Sequence, residues 1–271
     1  HTTGLTAPHL AMDAGRLESS EETLGAWLKA RGCRQEVVVA TKGGTILAGV
    51  SRVDRACLSH DLAESLERLQ LDSVDLYLLH RDDPAQPPEA IMEVVMELAA
   101  GKRVRHWGCS NWPAQRIAVA NAHARKCGFN GFVVSQVGYS YASIDRKAVP
   151  DKSMVYMHDG EYAQYQVSRL PVLAYNAQAS GFFSHLEQAG AERPTDARYA
   201  LPENRVRFER LMLLSKKYGK TVNQLALRFL MQDEISVIPV IGSRSAAQLA
   251  ESLGAADFAL SPEDWASLRR A

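Results

Sequence analysis

The sequence predicts an α/β fold with parallel strands, and three observations carry that prediction. Short β-branched runs alternate with longer segments of helical period, the alternation repeats over roughly 250 residues, and no Gly/Ser linker, charge block or low-complexity tract interrupts it. The expected architecture is a (β/α)8 barrel occupying residues 1–271 as a single domain, with an open doubly wound sheet as the rival.

Taken in order, His9 to Met12 can supply a short strand before a helix over Glu21 to Lys29. Val37 to Thr41 is the next strand, and Leu58, Leu62, Leu66 and Leu69 then recur at spacings that place them on one face of a helix. Val74 to Leu79 follows, then a Pro-led helix with Ile91, Val94, Val95 and Leu98 as its buried stripe and Gly101 as its stop. Val104 to Cys109 is a strand, Pro113 opens a helix, and Phe132 to Gln136 is a strand. After it comes an unusually long segment, Val137 to Leu170, of the kind that is often functional. Val172 to Tyr175 reads as a strand, Asn204 to Met231 as two helices with Thr221 capping the second, and Val237 to Ile241 as the last strand. Ser245 and Ser261-Pro262-Glu263 look like caps of two closing helices. The strand count is one short of a barrel, which points to a chain shortened at its front or to an incomplete barrel.

Lys and Arg together number 31, as do Asp and Glu, and the two signs are interleaved, so nucleic acid is not the expected partner. No apolar run reaches the length of a membrane span, and the first residues lack a signal-peptide layout. Cys33, Cys57, Cys109 and Cys127 lie far apart without a C-x-x-C pair, so neither a metal cage nor a disulfide framework is expected, and a cytoplasmic setting fits.

Chemistry in such barrels gathers where the strands end, and the polar residues at those points are Asp13, Lys42, His80, Ser110 with Asn111, Gln136, Tyr175, and Ser243 with Arg244. Each has a plain structural explanation: a solvated cation, a satisfied strand-end histidine, a helix cap. Their common placement is what argues for a site. His80-Arg81-Asp82 is no kinase loop, because the companion Asn, Gly-rich loop and Asp-Phe-Gly are missing. The Rossmann fingerprint, the Walker loop, G-x-S-x-G and H-E-x-x-H are also absent.

Val37-Val38-Val39-Ala40-Thr41-Lys42-Gly43-Gly44, Asp75-Leu76-Tyr77-Leu78-Leu79-His80, Gly108-Cys109-Ser110-Asn111, Ser135-Gln136 and Ile238-Pro239-Val240-Ile241-Gly242-Ser243-Arg244 resemble the aldo-keto reductase family, in order, from about Ser20 to the C-terminus. The resemblance implies an NADPH-dependent reductase of small-molecule carbonyls on a (β/α)8 barrel. It implies that Lys42 and His80 belong to the catalytic tetrad, that Ser110, Asn111 and Gln136 hydrogen-bond the nicotinamide carboxamide, and that Tyr175 stacks on its ring. Gly242 to Ser252 would hold the adenosine end, with Ser243 and Arg244 on the 2'-phosphate and Gln248 near the adenine. A guanidinium beside a helix start at Ser245 suits a phosphate dianion, which favours NADP(H) over NAD.

One departure matters. The family's remaining tetrad members, an Asp and a Tyr, fall on Asp13 and Glu18, so the phenol that protonates the forming alkoxide is replaced by a carboxyl. Beside Lys42 a carboxyl is ionised and cannot donate that proton. Three readings follow: a reductase whose proton comes from Lys42, water, Tyr139 or Tyr141; a redox-inactive lyase or isomerase working by acid-base chemistry; or a non-catalytic binding protein. Glu18 also reads as a solvated residue approaching a helix that starts at Ser20.

Overall fold

The structure, a computed structural model, describes residues 4–6, 14–189 and 196–270, with side chains from residue 20 onward. The chain divides into two compact units, His1–Gln136 with Asp159–Leu170, and Val137–His158 with Pro171–Ala271.

The first unit alternates strands and helices: β1 (Gly4–Thr6), α1 (Ala14–Arg31), β2 (Val38–Gly43), α2 (Arg55–Leu69), β3 (Val74–Leu79), α3 (Pro88–Ala99), β4 (Val104–Ser110), α4 (Ala114–Lys126) and β5 (Phe132–Gly138, to Gln136 in this unit), with α5 (Asp159–Ser168) returning to it. All strand pairings here are parallel and run in chain order, β1 on β2, β2 on β3, β3 on β4, β4 on β5. A doubly wound sheet reverses its strand order at a switch point; this one does not, which removes the rival architecture.

The predicted stripe on α2 is buried at Leu58, Leu62, Leu66 and Leu69, and on α3 Ile91, Met92 and Val95 are buried with Val94 and Leu98 packed beside them. Together with Val39, Tyr77, Leu79, Trp107, Trp112 and Phe132 they form one apolar core between sheet and helices. Asp54 caps α2 by accepting from Cys57 N at 3.0 Å. Gly25 lets α1 lie against the end of α2, since a Cβ there would stand 2.4 Å from Leu69 O and 2.9 Å from Arg68 O.

Tyr77 is fully buried, its ring edge-on to Trp107 at 5.4 Å, and among the described residues its hydroxyl has no hydrogen-bond partner. Burying an unmatched hydroxyl is unfavourable, so Tyr77→Phe is expected to raise the urea midpoint, by about 1 kcal/mol in stability. An unchanged or lowered midpoint would show that the hydroxyl is satisfied.

The second unit contains β6 (Val172–Tyr175), α6 (Phe182–Ala189), α7 (Pro202–Tyr218), α8 (Val222–Met231), β7 (Val237–Pro239), α9 (Ala246–Leu253) and α10 (Pro262–Arg269). β6 and β7 pair in parallel, Val172 opposite Val237. The predicted caps are in place: Thr221 forms a full capping box with Gln224, Ser245 accepts from Gln248 N at 3.2 Å, and Ser261 from Asp264 N at 3.1 Å.

Several expectations are corrected. The first strand is Gly4–Thr6, and His9 to Met12 lies outside the described residues. The first helix begins at Ala14, not Ser20, so the backbone of Glu18 is helical and Glu18 does not merely approach a helix. α3 ends at Ala99 without using Gly101 as a left-handed stop; the positive φ falls on Lys102. The segment Val137 to Leu170 is not one loop, because it contains α5. The last strand stops at Pro239, two residues early.

Candidate active site

β2 and β3 are registered Lys42 to Leu78 and Gly43 to Leu79, and His80 N donates to Gly43 O at 2.8 Å, extending the ladder by one residue. Registered residues of parallel strands share a face, and side chains alternate, so Lys42, Leu78 and His80 project to the same side. The same parity runs on through β4 and β5: Leu78 opposes Gly108, Ser110 stands two residues further, and Ser110 opposes Gln136. Gly108 is needed there, because a Cβ would sit 2.4 Å from Leu78 Cδ2 and 2.8 Å from Val134 O. Four predicted site residues thus line one face at neighbouring strand ends.

Ser110, Asn111 and Gln136 are buried and joined: Ser110 Oγ donates to Gln136 Oε1 at 3.4 Å, and Asn111 Nδ2 donates to Ser110 Oγ at 3.1 Å and to His80 O at 3.4 Å. Asn111 takes a left-handed backbone, φ 59°, which Asn tolerates better than most residues, and its N–H donates to Gln136 O at 2.9 Å. A hydroxyl and two amides on a buried strand-end face form a mixed donor and acceptor set, which suits a primary carboxamide.

Lys42 is only partly exposed, and its ammonium is pulled from the ordinary value near 10.5 down to about 8. Desolvation is the main cause, the charge of Arg81 adds to it, and the carboxylate of Glu21 opposes it. Glu21 is itself buried on α1, where it accepts from Arg68 Nε at 2.6 Å and from the Thr41 hydroxyl. Arg81 Nη1 donates to His80 O at 2.9 Å. Glu21 and Arg81 therefore set the field around the lysine, and neither stood out in the sequence, since a carboxylate in a helical run and a loop arginine look like ordinary surface charges. Asp13 lies outside the described residues, and Glu18 is located by its backbone alone.

The other predicted residues belong to the second unit. Tyr175 is buried, with its hydroxyl donating to Val155 O at 3.0 Å and its ring edge-on to Tyr156 at 5.6 Å. Ser243, Arg244 and Gln248 are exposed around the start of α9. Gln248 Oε1 accepts from Arg244 N at 2.8 Å, so this amide shapes the turn. The segment is anchored by Gln178, whose Oε1 accepts from Gly242 N at 3.2 Å while its Nε2 donates to Asn223 Oδ1 and Ser252 Oγ, each at 3.1 Å. Gln178 was foreseeable only as part of the turn after β6, because nothing local marks an amide that bridges to residues 45 and 74 positions away.

Two tyrosines proposed as substitute acids are engaged elsewhere in their unit. Tyr139 donates to Asp233 Oδ2 at 2.5 Å, and Tyr141 donates to Leu268 O at 3.2 Å with burial pushing its phenol well above the ordinary range. Among the described residues no cluster of His, Cys, Asp or Glu is arranged to hold a metal, and no helix is long and apolar enough to cross a membrane.

The profile of the aldo/keto reductase family matches residues 16–271. Aldo-keto reductase str7 of Strobilurus tenacellus is 27% identical, covering 93% of this chain and 73% of its own length. Norsolorinic acid reductase stcV of Emericella nidulans is 27% identical over 91% of this chain and 63% of its own. Aryl-alcohol dehydrogenase [NADP(+)] of Phanerodontia chrysosporium is 26% identical over 91% and 67%. The chain thus spans about two thirds of the length of such relatives. With parallel strands and helices alternating in the (β/α)8 manner, and seven strands among the described residues, the chain belongs to the aldo/keto reductase family of oxidoreductases.

Proposed function

We propose that this chain is an NADPH-dependent reductase of small-molecule aldehydes or ketones, acting in the cytoplasm as a single barrel domain. The observation that supports it most is the placing of Lys42 and His80 on one face at adjacent strand ends, beside the linked Ser110, Asn111 and Gln136. Ser110, Asn111 and Gln136 would hold the carboxamide and Tyr175 would take the ring. Ser243 and Arg244 would take the 2'-phosphate, with Gln248 near the adenine. Among the described residues the Arg244 guanidinium makes no ion pair, and it stands beside the capped start of α9, a setting that suits a dianion. The NADP(+) in the name of the Phanerodontia relative is in keeping with this assignment.

Bound NADPH supplies the hydride. His80 would orient the carbonyl oxygen, and the ammonium of Lys42 would face the developing negative charge. With a pKa of about 8, Lys42 is protonated at neutral pH yet acidic enough to release a proton from Nζ to the alkoxide, the duty left open where Glu18 replaces the family's Tyr. Asp13 and Glu18 are assigned to the same group by resemblance.

The lowered Lys42 also favours a second reading, because a lysine partly neutral near pH 8 can act as a base in an elimination or isomerisation. Fluorescence titration with NADPH and NADH, followed by absorbance assays on a carbonyl panel, separates the two. Saturable binding that prefers NADPH, with cofactor consumption, is expected; absence of binding would overturn the reductase and leave the acid-base enzyme.

A further inference from the structure

The loop that leaves β3 carries His80, and it is held at each of its first four residues by the segment that leaves β4. Asn111 Nδ2 donates to His80 O at 3.4 Å and Trp112 Nε1 to Arg81 O at 3.1 Å. Arg116, in the first turn of α4, closes a fork on Asp82, with Nε to Oδ2 at 2.6 Å and Nη2 to Oδ1 at 3.0 Å. The same Nη2 reaches Asp83 O at 3.0 Å and Gln86 O at 2.9 Å, and the guanidinium lies over the Trp112 ring at 5.6 Å.

Asp82 is buried, and burial pushes its carboxyl up against the opposing pull of Arg116. Only a planar group with several donors can meet two carboxylate oxygens and two carbonyls at once while lying over an indole. The start of α4 is fixed in turn, because Glu161 Oε2 on α5 accepts from Ala114 N at 2.9 Å.

We propose that Arg116 is a positioning residue for the reaction: through Asp82 and the carbonyls of the loop it holds the backbone that aims the His80 imidazole, with Trp112 as the platform. The proposal rests on the reading that His80 orients the substrate carbonyl. An error of about 1 Å in such a group costs on the order of 100-fold in rate.

The test is Arg116→Lys, which keeps the charge and loses the fork. Expected are a 10- to 100-fold fall in kcat, KM and NADPH affinity within about twofold of wild type, and displaced His80 ring signals in NMR spectra assigned with His80→Gln. A folded Arg116→Lys with unchanged kcat and unchanged His80 signals overturns the proposal. Should that variant not fold, Trp112→Phe removes the indole donor to Arg81 O and trims the ring under the Arg116 guanidinium; a smaller shift of the same signals is expected, and none overturns it. If the wild-type enzyme reduces no carbonyl, the functional reading fails, and the His80 signals alone decide whether Arg116 aims the ring.

Discussion

Replacement of Lys42 by methionine is expected to lower NADPH-dependent turnover by about 100- to 10,000-fold and, at pH 7, to make the protein more stable. Both effects have one origin. The native ammonium has a pKa of about 8 against about 10.5 when unfolded, because burial and Arg81 disfavour its charge more than Glu21 favours it. Below pH 8 the native and the unfolded chain both carry the proton, and the native state bears the full cost. Between 8 and 10.5 the unfolded chain binds the proton and the native chain does not, so stability rises with pH; above 10.5 the cost is gone. Allowing for the partial exposure of Lys42, removing the charge is worth about 2–3 kcal/mol at pH 7. The native lysine is then a strained functional group of the kind that trades stability for activity. Wild-type kcat/KM for reduction should fall as pH rises through 8, since the proton to be donated is lost there. Thermal unfolding and a pH–rate profile check both halves. A methionine variant melting below wild type would show that the charge is compensated.

Gly25→Ala should be the most destabilising of these substitutions. Helix propensity alone favours alanine by about 1 kcal/mol. Against this, the new methyl would meet Leu69 O at 2.4 Å, Leu69 C at 2.7 Å and Arg68 O at 2.9 Å, all backbone atoms at the end of α2 that cannot rotate away. Overpacking costs about 1–3 kcal/mol and occasionally more, and contacts this short with immobile backbone atoms belong at the upper end, so sterics win. Gly25 lies one turn after Glu21 on the same face of α1, and forcing α1 off α2 would also stretch the Glu21 contacts to Arg68 and Thr41 next to Lys42. Urea denaturation should show a lowered midpoint, and turnover should fall with it. A midpoint at or above that of wild type would refute the close approach of the two helices.

The leucines of α2 were readable because a helical face repeats within a few residues, and Thr221, Ser245 and Ser261 because a cap is a local competition for backbone N–H groups. Lys42, His80, Ser110 and Gln136 could be found because strands in chain order put their ends side by side. What the sequence concealed was long-range. Arg116 meets Asp82 across 34 positions, Glu21 meets Arg68 across 47, and no periodicity records either. The start of α1 was misplaced for a different reason: Ser20-Glu21-Glu22 has the chemistry of a cap, but the preceding residues already continue the helix.

Helix α5 belongs to the first unit although the segments on both sides of it belong to the second. From that helix Glu161 reaches the first amide of α4, and the Tyr165 hydroxyl meets Ser135 Oγ at 2.8 Å on β5. Severing the polypeptide after residue 136 would deprive the front portion of both partners. The two portions are consequently woven together along the polypeptide and are not interchangeable cassettes, and a gene fusion or exchange that respects this protein has to carry residues 159–170 along with the front portion.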